Sequence, residues 1–170
     1  LDLDYVDIFY HHREDPETPL VETIEALAQI MKQGKALYVG LSNYSPERFI
    51  EAHKIAQSMG IPLTIYQPKY NLLNRDIELQ QMTRVEELGT GVICYSPIAE
   101  GVLTEKYLDK ANPVPSDSRA AQDYQGLTIN ELTEERLVKV RKLLKIAQSR
   151  GQSLPQMAVA WTLRNPNMNS

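Results

Sequence analysis

The stretch Tyr5–Arg13, YVDIFYHHR, decides how the chain is read. Val6, Ile8, Phe9 and Tyr10 form a β-branched and aromatic run with little polar alternation, the pattern of a strand covered on both faces. Such strands belong to parallel sheets. They present their chemistry at their C-terminal ends, in the mouth formed by the strand-to-helix loops. Here that end carries two adjacent histidines, His11 and His12, and the other motifs are placed relative to them.

Beyond the loop REDPETP, Leu20, Ile24, Leu27, Ile30 and Met31 recur at helical spacing. A helix is expected over Leu20–Met31, with Thr18 as its cap, Pro19 at its first position and Gly34 past its end. Ala36–Leu41 (ALYVGL) reads as a second strand, followed at once by Ser42, Asn43 and Tyr44. Ser45 and Pro46 open another helix, with a stripe of Phe49, Ile50, His53, Ile55 and Ala56 that Gly60 stops. Leu63–Tyr66 is a third strand, closed by Gln67 and Pro68. The loop YNLLNR leads to helical spacing over Glu78–Leu88 through Leu79, Met82, Val85 and Leu88. Val92–Tyr95 is a fourth strand, ending in Ser96 and Pro97. Regularity then breaks down. Gly101–Leu132, with Pro113, Pro115 and Ser116–Ser118 at its middle, is expected to be a long loop with few apolar anchors, the kind that acts as a lid or binding loop. Thr133 and Glu134 open an amphipathic helix through Leu137, Val140, Leu143, Leu144 and Ala147, and Ser153 caps a second through Trp161 and Leu163.

Composition narrows the function classes. The chain has 170 residues, 42% hydrophobic and 24% charged, enough to bury a core. Its 18 basic and 22 acidic residues give a net charge of -4, with no basic stripe to meet a phosphate backbone, so nucleic acid is not an expected partner. No apolar run is long enough for a membrane span and the first residues lack a signal pattern, and with one cysteine no intramolecular disulfide can form, so a reducing cytoplasmic setting is expected. The single cysteine, Cys94 in GVICY, reads as a small buried hydrophobe.

Strand-helix units in this order build either a doubly wound sheet or part of an eight-stranded barrel. No GxGxxG turn follows any strand, and polar residues stand at every strand end, which favours the barrel. The expected fold is therefore α/β, a (β/α)8 TIM barrel of which residues 1–170 carry about four to five units in a single domain. Four strands cannot close a barrel, so the sequence is expected to be a fragment of a longer chain.

The strand ends supply His12, then Ser42 and Asn43, then Gln67, then Tyr95 and Ser96. Imidazole can orient a carbonyl, side-chain amides can pair with a carboxamide, and a tyrosine can stack on a flat ring. Each residue taken alone also reads as a turn, cap or core residue. The set is poor in metal ligands, and no metal site is expected.

The segments LDYVDIFYHHR, QGKALYVGLSNYSPE, YQPKYNLLNR, YSPIAEGVLTEKY and DSRA resemble consecutive blocks of the aldo-keto reductases, over essentially the whole chain. GKALYVGLSNYSPE and YNLLNR look most like the branch holding potassium-channel β subunits and L-glyceraldehyde 3-phosphate reductases. The resemblance implies a (β/α)8 barrel that binds NADP(H) without a GxGxxG turn and reduces a small aldehyde or ketone by hydride transfer. It makes His12, five positions after Asp7, the active-site histidine, and His11 a neighbour facing the other side of the strand. It makes Ser42, Asn43 and Gln67 partners of the nicotinamide carboxamide and Tyr95 the ring stacked beneath it. Ser96, Pro97, Ile98, Ala99, Gly101, Leu103 and Lys106 match the family's pyrophosphate strap, with Arg119 in the same belt, so residues 101–132 become a cofactor-covering loop. The family's catalytic tyrosine, lysine and aspartate would precede Leu1, and its adenosine-phosphate site would follow Ser170. A cofactor-binding regulatory subunit is the rival reading, but potassium-channel β subunits hold asparagine where this chain has His12. An inactive remnant is a third, and a homo-oligomer is compatible with all of them.

Overall fold

The computed structural model describes residues 2–79, 81–122, 127 and 129–170. Position 80 of the expected third helix, and 123–126 and 128 of the long loop, lie outside the described residues. The chain divides into two compact units, one of Leu1–Lys69, Asp76–Tyr95 and Asn165–Ser170, the other of Tyr70–Arg75 and Ser96–Arg164.

The first unit is built on four strands: β1 (Val6–His11), β2 (Ala36–Ser42), β3 (Leu63–Gln67) and β4 (Gly91–Val92). They pair in sequence order and every neighbour is parallel, as a helix or longer crossover between successive strands requires. The connections are α1 (Leu20–Lys32), α2 (Pro46–Ser58) and α3 (Gln81–Glu87). The register sets His11 opposite Leu41, Leu41 opposite Tyr66 and Tyr66 opposite Val92, so the C-terminal ends of the strands stand level. β2 is the apolar centre, with Val39 and Leu41 fully buried. Between Val39 and Gly40 the register with β3 shifts. A Cβ on Gly40 would lie 2.5 Å from Ile65 Cγ2 and 2.8 Å from both the Ile65 carbonyl oxygen and Tyr10 Cε1, so glycine is what lets the three strands pass this closely.

Several expectations are corrected here. Among the described residues β1 pairs only with β2, and Phe9 is 41% exposed. β4 is shorter than Val92–Tyr95. Its outer side meets Met168–Ser170, where the Asn169 amide donates to the Val92 carbonyl (2.7 Å) and Cys94 donates to the Ser170 carbonyl (2.9 Å). Cys94 is half-buried rather than buried. Thr18 does not cap α1: its hydroxyl donates to Asp15 Oδ2 (2.8 Å), and Pro19 takes the capping position with an extended backbone. Leu79 follows a 3-10 turn at Asp76–Glu78 and is 84% exposed, outside the stripe of α3.

In the second unit, α4 (Glu134–Ser149) and α5 (Leu154–Thr162) begin as read, Thr133 accepting from the Arg136 amide and Ser153 forming a reciprocal box with Gln156. The long loop, however, is well anchored. Val102, Leu103, Tyr107, Ala120 and Leu127 are buried with Leu137, Val140 and Ala147 of α4 and Leu154 and Ala158 of α5. Trp161 of α5 packs on Tyr70 (5.1 Å between centroids), and the Arg164 guanidinium lies 4.0 Å over its ring. Among the described residues, no helix is long and apolar enough to cross a membrane.

Gly40→Ala is expected to lower unfolding stability by about 1–3 kcal/mol, the usual cost of forcing a methyl into a filled site. Urea unfolding followed by circular dichroism measures it, and an unchanged midpoint would contradict the close strand approach.

Candidate active site

The level strand ends bring five of the expected residues of the first unit, His12, Ser42, Asn43, Gln67 and Tyr95, into one hydrogen-bonded group. Ser42, only 1% exposed, donates from its hydroxyl to the Gln67 carbonyl (2.7 Å), across the pair where β2 and β3 end. Asn43 follows with φ +59°, in the left-handed region that asparagine tolerates better than most residues. Its Nδ2 donates to the His12 carbonyl (2.9 Å) and to Ser42 Oγ (3.0 Å), while its Oδ1 accepts from the Tyr95 hydroxyl (2.7 Å). One side-chain amide thus joins the residue after β1, the end of β2 and the segment after β4. The His12 imidazole is exposed, and only its backbone carbonyl enters this network. The Gln67 side-chain amide takes no hydrogen bond from the described residues.

These contacts bear on what could bind. Both Nδ2 hydrogens of Asn43 are engaged, so toward a ligand it offers the second lone pair of Oδ1. Gln67 offers a donor and an acceptor, and Tyr95 an aromatic ring held by its hydroxyl. The donor set fits a flat ring bearing a carboxamide. Among the described residues, no three His, Cys, Asp or Glu side chains are grouped to hold a metal ion.

His11 is committed elsewhere. The Tyr44 hydroxyl lies 2.7 Å from His11 Nδ1, and the rings meet edge to face at 5.8 Å. Burial holds the His11 pKa below its usual value, opposed by Asp15 and Glu14, while the neighbouring His12 lowers it further. Burial likewise pushes the Tyr44 phenol up to about 12, with Glu14 adding and Arg48 subtracting. Beneath them lies a group that sequence reading missed: the Tyr44 carbonyl accepts from the Tyr66 hydroxyl (2.9 Å) and from Gln81 Nε2 (3.0 Å). Gln81 falls outside the apolar stripe of Leu79, Met82, Val85 and Leu88, and nothing in its spacing marks it as buried.

The second unit holds a cavity of about 580 Å³ lined by Ser96, Ile98, Gly101, Lys106 and Arg119 of the expected strap. Sequence reading missed Glu100, Thr104, Tyr107 and Asp117 on the same walls. The side chains of Ala99 and Leu103 are fully buried in the unit's core instead, and Pro97 does not line the cavity. The amides of Ala99, Gly101 and Leu103 are spent inside the turn, on the carbonyls of Ser96, Ile98 and Ile98 again. Ser96, Ala99 and Glu100 all have positive φ, a concentration of backbone strain of the sort found in ligand-binding loops. Lys106 pairs with Asp117 at 3.3 Å, both side chains substantially exposed, a contact worth little in water. Two cations and two carboxylates line the cavity, so it offers matched charges rather than a purely positive cradle.

Together these features define a parallel α/β protein with a neutral hydrogen-bonding site at its strand ends. The model of the aldo/keto reductase family matches residues 1–170, and the chain belongs to that family. It is 46% identical over 172 residues to L-glyceraldehyde 3-phosphate reductase of Escherichia coli (strain K12), covering 99% of this chain and 49% of that protein. It is 40% identical over 174 residues to a probable voltage-gated potassium channel subunit beta of Oryza sativa subsp. japonica, covering 100% of this chain and 52% of that one. Among solved structures, a glycerol dehydrogenase from Gluconobacter oxydans superposes with a TM-score of 0.74 at 29% identity, over 95% of this chain and 47% of its own. The parallel sheet is consistent with part of a (β/α)8 barrel. The chain spans about half the length of the curated relatives it matches.

A histidine whose folded pKa lies below its unfolded value contributes stability that is present above the unfolded pKa and lost as pH falls through the folded one. His11 has this sign, and His53 shares it through burial. Stability is therefore expected to decline as pH falls below about 6.5, the unperturbed histidine value. His11→Gln should flatten that decline in part, leaving the His53 share. Urea midpoints measured from pH 8 to pH 5 test this, and an identical slope in the variant would remove His11 as a cause.

Proposed function

We propose that the chain carries the nicotinamide-facing half of an NADPH-dependent carbonyl reductase acting on a small aldehyde or ketone. The observation that carries this reading is the group formed by His12, Ser42, Asn43, Gln67 and Tyr95, in which neutral donors and acceptors surround an aromatic ring and an uncommitted imidazole. Gln67 and Asn43 Oδ1 would meet the carboxamide, and Tyr95 would lie against the ring. When bound, the reduced cofactor supplies hydride to the carbonyl carbon. His12 would donate a hydrogen bond to the carbonyl oxygen, where negative charge develops. The proton that finally reaches this oxygen is assigned to no residue named here. The similarity to L-glyceraldehyde 3-phosphate reductase favours a small polar carbonyl substrate.

The matched charges of the second unit's cavity suit an anionic group through Lys106 and Arg119, with Glu100 and Asp117 placed to accept from hydroxyls. We assign it a diphosphate and an adjoining ribose. A cytoplasmic setting accords with this use of NADPH.

The full-length protein tests the division of roles. His12→Ala is expected to lower carbonyl turnover roughly a hundredfold, the loss typical of one donor aimed at a developing oxyanion, with the NADPH dissociation constant little changed. Tyr95→Ala should raise that dissociation constant first. Stopped-flow turnover and NADPH fluorescence titration separate the two. Full turnover in His12→Ala with collapsed cofactor affinity would put His12 in the cofactor site. A wild-type protein that binds NADPH but turns over no carbonyl would favour the regulatory-subunit reading.

A further inference from the structure

Asn43 is flanked on both sides by buried residues held by hydrogen bonds. On one side, Ser42 is fixed by the strand ladder and by its own hydroxyl on the Gln67 carbonyl. On the other, Tyr44 is 3% exposed and held at three points: its carbonyl by Tyr66 and by Gln81, and its hydroxyl by His11. Gln81 Nε2 also donates to the Tyr66 hydroxyl oxygen (2.7 Å), so the three residues form a closed triangle of hydrogen bonds. Tyr66 is 2% and Gln81 5% exposed. The triangle is buried, and the Phe49 ring packs edge to face on Tyr66 at 5.0 Å.

A buried polar triangle could serve stability alone. Its location argues for more. A left-handed non-glycine residue persists only where its surroundings over-determine the backbone, and such residues gather at functional sites. The triangle grips the carbonyl of the residue that follows the left-handed position, one peptide unit beyond Asn43, and Asn43 at that position places three hydrogen bonds of the strand-end group. The nearest alternative conformation, an ordinary extended Asn43, would turn its amide away from the His12 carbonyl and from Tyr95.

We propose that Gln81 and Tyr66 are positioning residues that act through the Tyr44 carbonyl to lock the turn delivering the Asn43 amide, and thereby set the affinity of the strand-end site for a nicotinamide. The affinity part rests on the cofactor reading above; the locking of the turn does not.

The test uses the full-length protein as wild type, Tyr66→Phe, Gln81→Met and the double variant, all well below their melting temperatures. Two quantities are read: solvent exchange of the Asn43 side-chain amide protons by NMR, and the NADPH dissociation constant by fluorescence titration. Each single variant should raise both by roughly fivefold to tenfold, the factor commanded by one ordinary hydrogen bond. The double variant, which removes both donors from the Tyr44 carbonyl, should raise both quantities by more than either single variant. Variants that melt earlier but keep the wild-type exchange rate and dissociation constant would make the triangle a stability element only and overturn the proposal. So would a change in one quantity without the other. A wild-type protein that does not bind NADPH sinks the cofactor reading, and the exchange rates alone then decide whether the turn is locked as described. If Tyr66→Phe fails to fold, Gln81→Met carries the test, since it leaves the Tyr66 bond to the carbonyl in place.

Discussion

The parallel register of the four strands is the constraint on which the first unit depends. Because His11, Leu41, Tyr66 and Val92 stand level, the residues that follow them arrive together, and Ser42 pairs directly with Gln67. A slip of one residue in β2 would exchange the two faces of the strand, sending Leu41 to the side now taken by its neighbours. The shift at Gly40 shows how closely the register is tuned: a single absent Cβ brings β1, β2 and β3 to a separation that no side chain would allow.

Electrostatics divides the two units. The strand-end group contains no carboxylate or ammonium, so its hydrogen bonds do not depend on screening by salt. A neutral polar ligand can exchange its water for these groups at little cost, whereas an ion would lose hydration without a counter-charge. The cavity of the second unit has the opposite character, with Lys106, Arg119, Glu100 and Asp117 on its walls and Lys106 paired with Asp117. Such a site discriminates by geometry. An anion can replace a carboxylate as the partner of a cation only if it reaches the same place.

Much of this was legible in the sequence, and for definite reasons. The β-branched runs, the helix-capping serines and the terminating glycines gave strands and helices in the right order, because period and punctuation report backbone state directly. The strand-end residues could be named because parallel strands bring their C-terminal ends together. What stayed hidden depends on neighbours distant in sequence. Thr18 reads as a cap, but Asp15 lies three residues back and takes its hydroxyl. Val102, Leu103, Tyr107 and Ala120 are buried without any period, so they looked like loop residues. Gln81 stands outside the apolar stripe of its helix, and only the fold shows that Tyr44 and Tyr66 wait for its amide.

The choice of asparagine at position 43 follows from the same geometry. The backbone there is left-handed, which glycine would accept most easily. Glycine would supply none of the three bonds that Asn43 makes. Aspartate tolerates the conformation nearly as well and could accept from Tyr95, but it has no hydrogen to offer the His12 carbonyl or Ser42 Oγ, and its charge would face that carbonyl directly. Serine is too short to span from the end of β2 to both neighbours. Only a side chain with donor and acceptor on one rigid plane, on a residue that accepts positive φ, joins the strand ends. The site's shape is therefore set less by the groups that would touch a ligand than by one residue whose backbone strain and hydrogen-bonding capacity are used together.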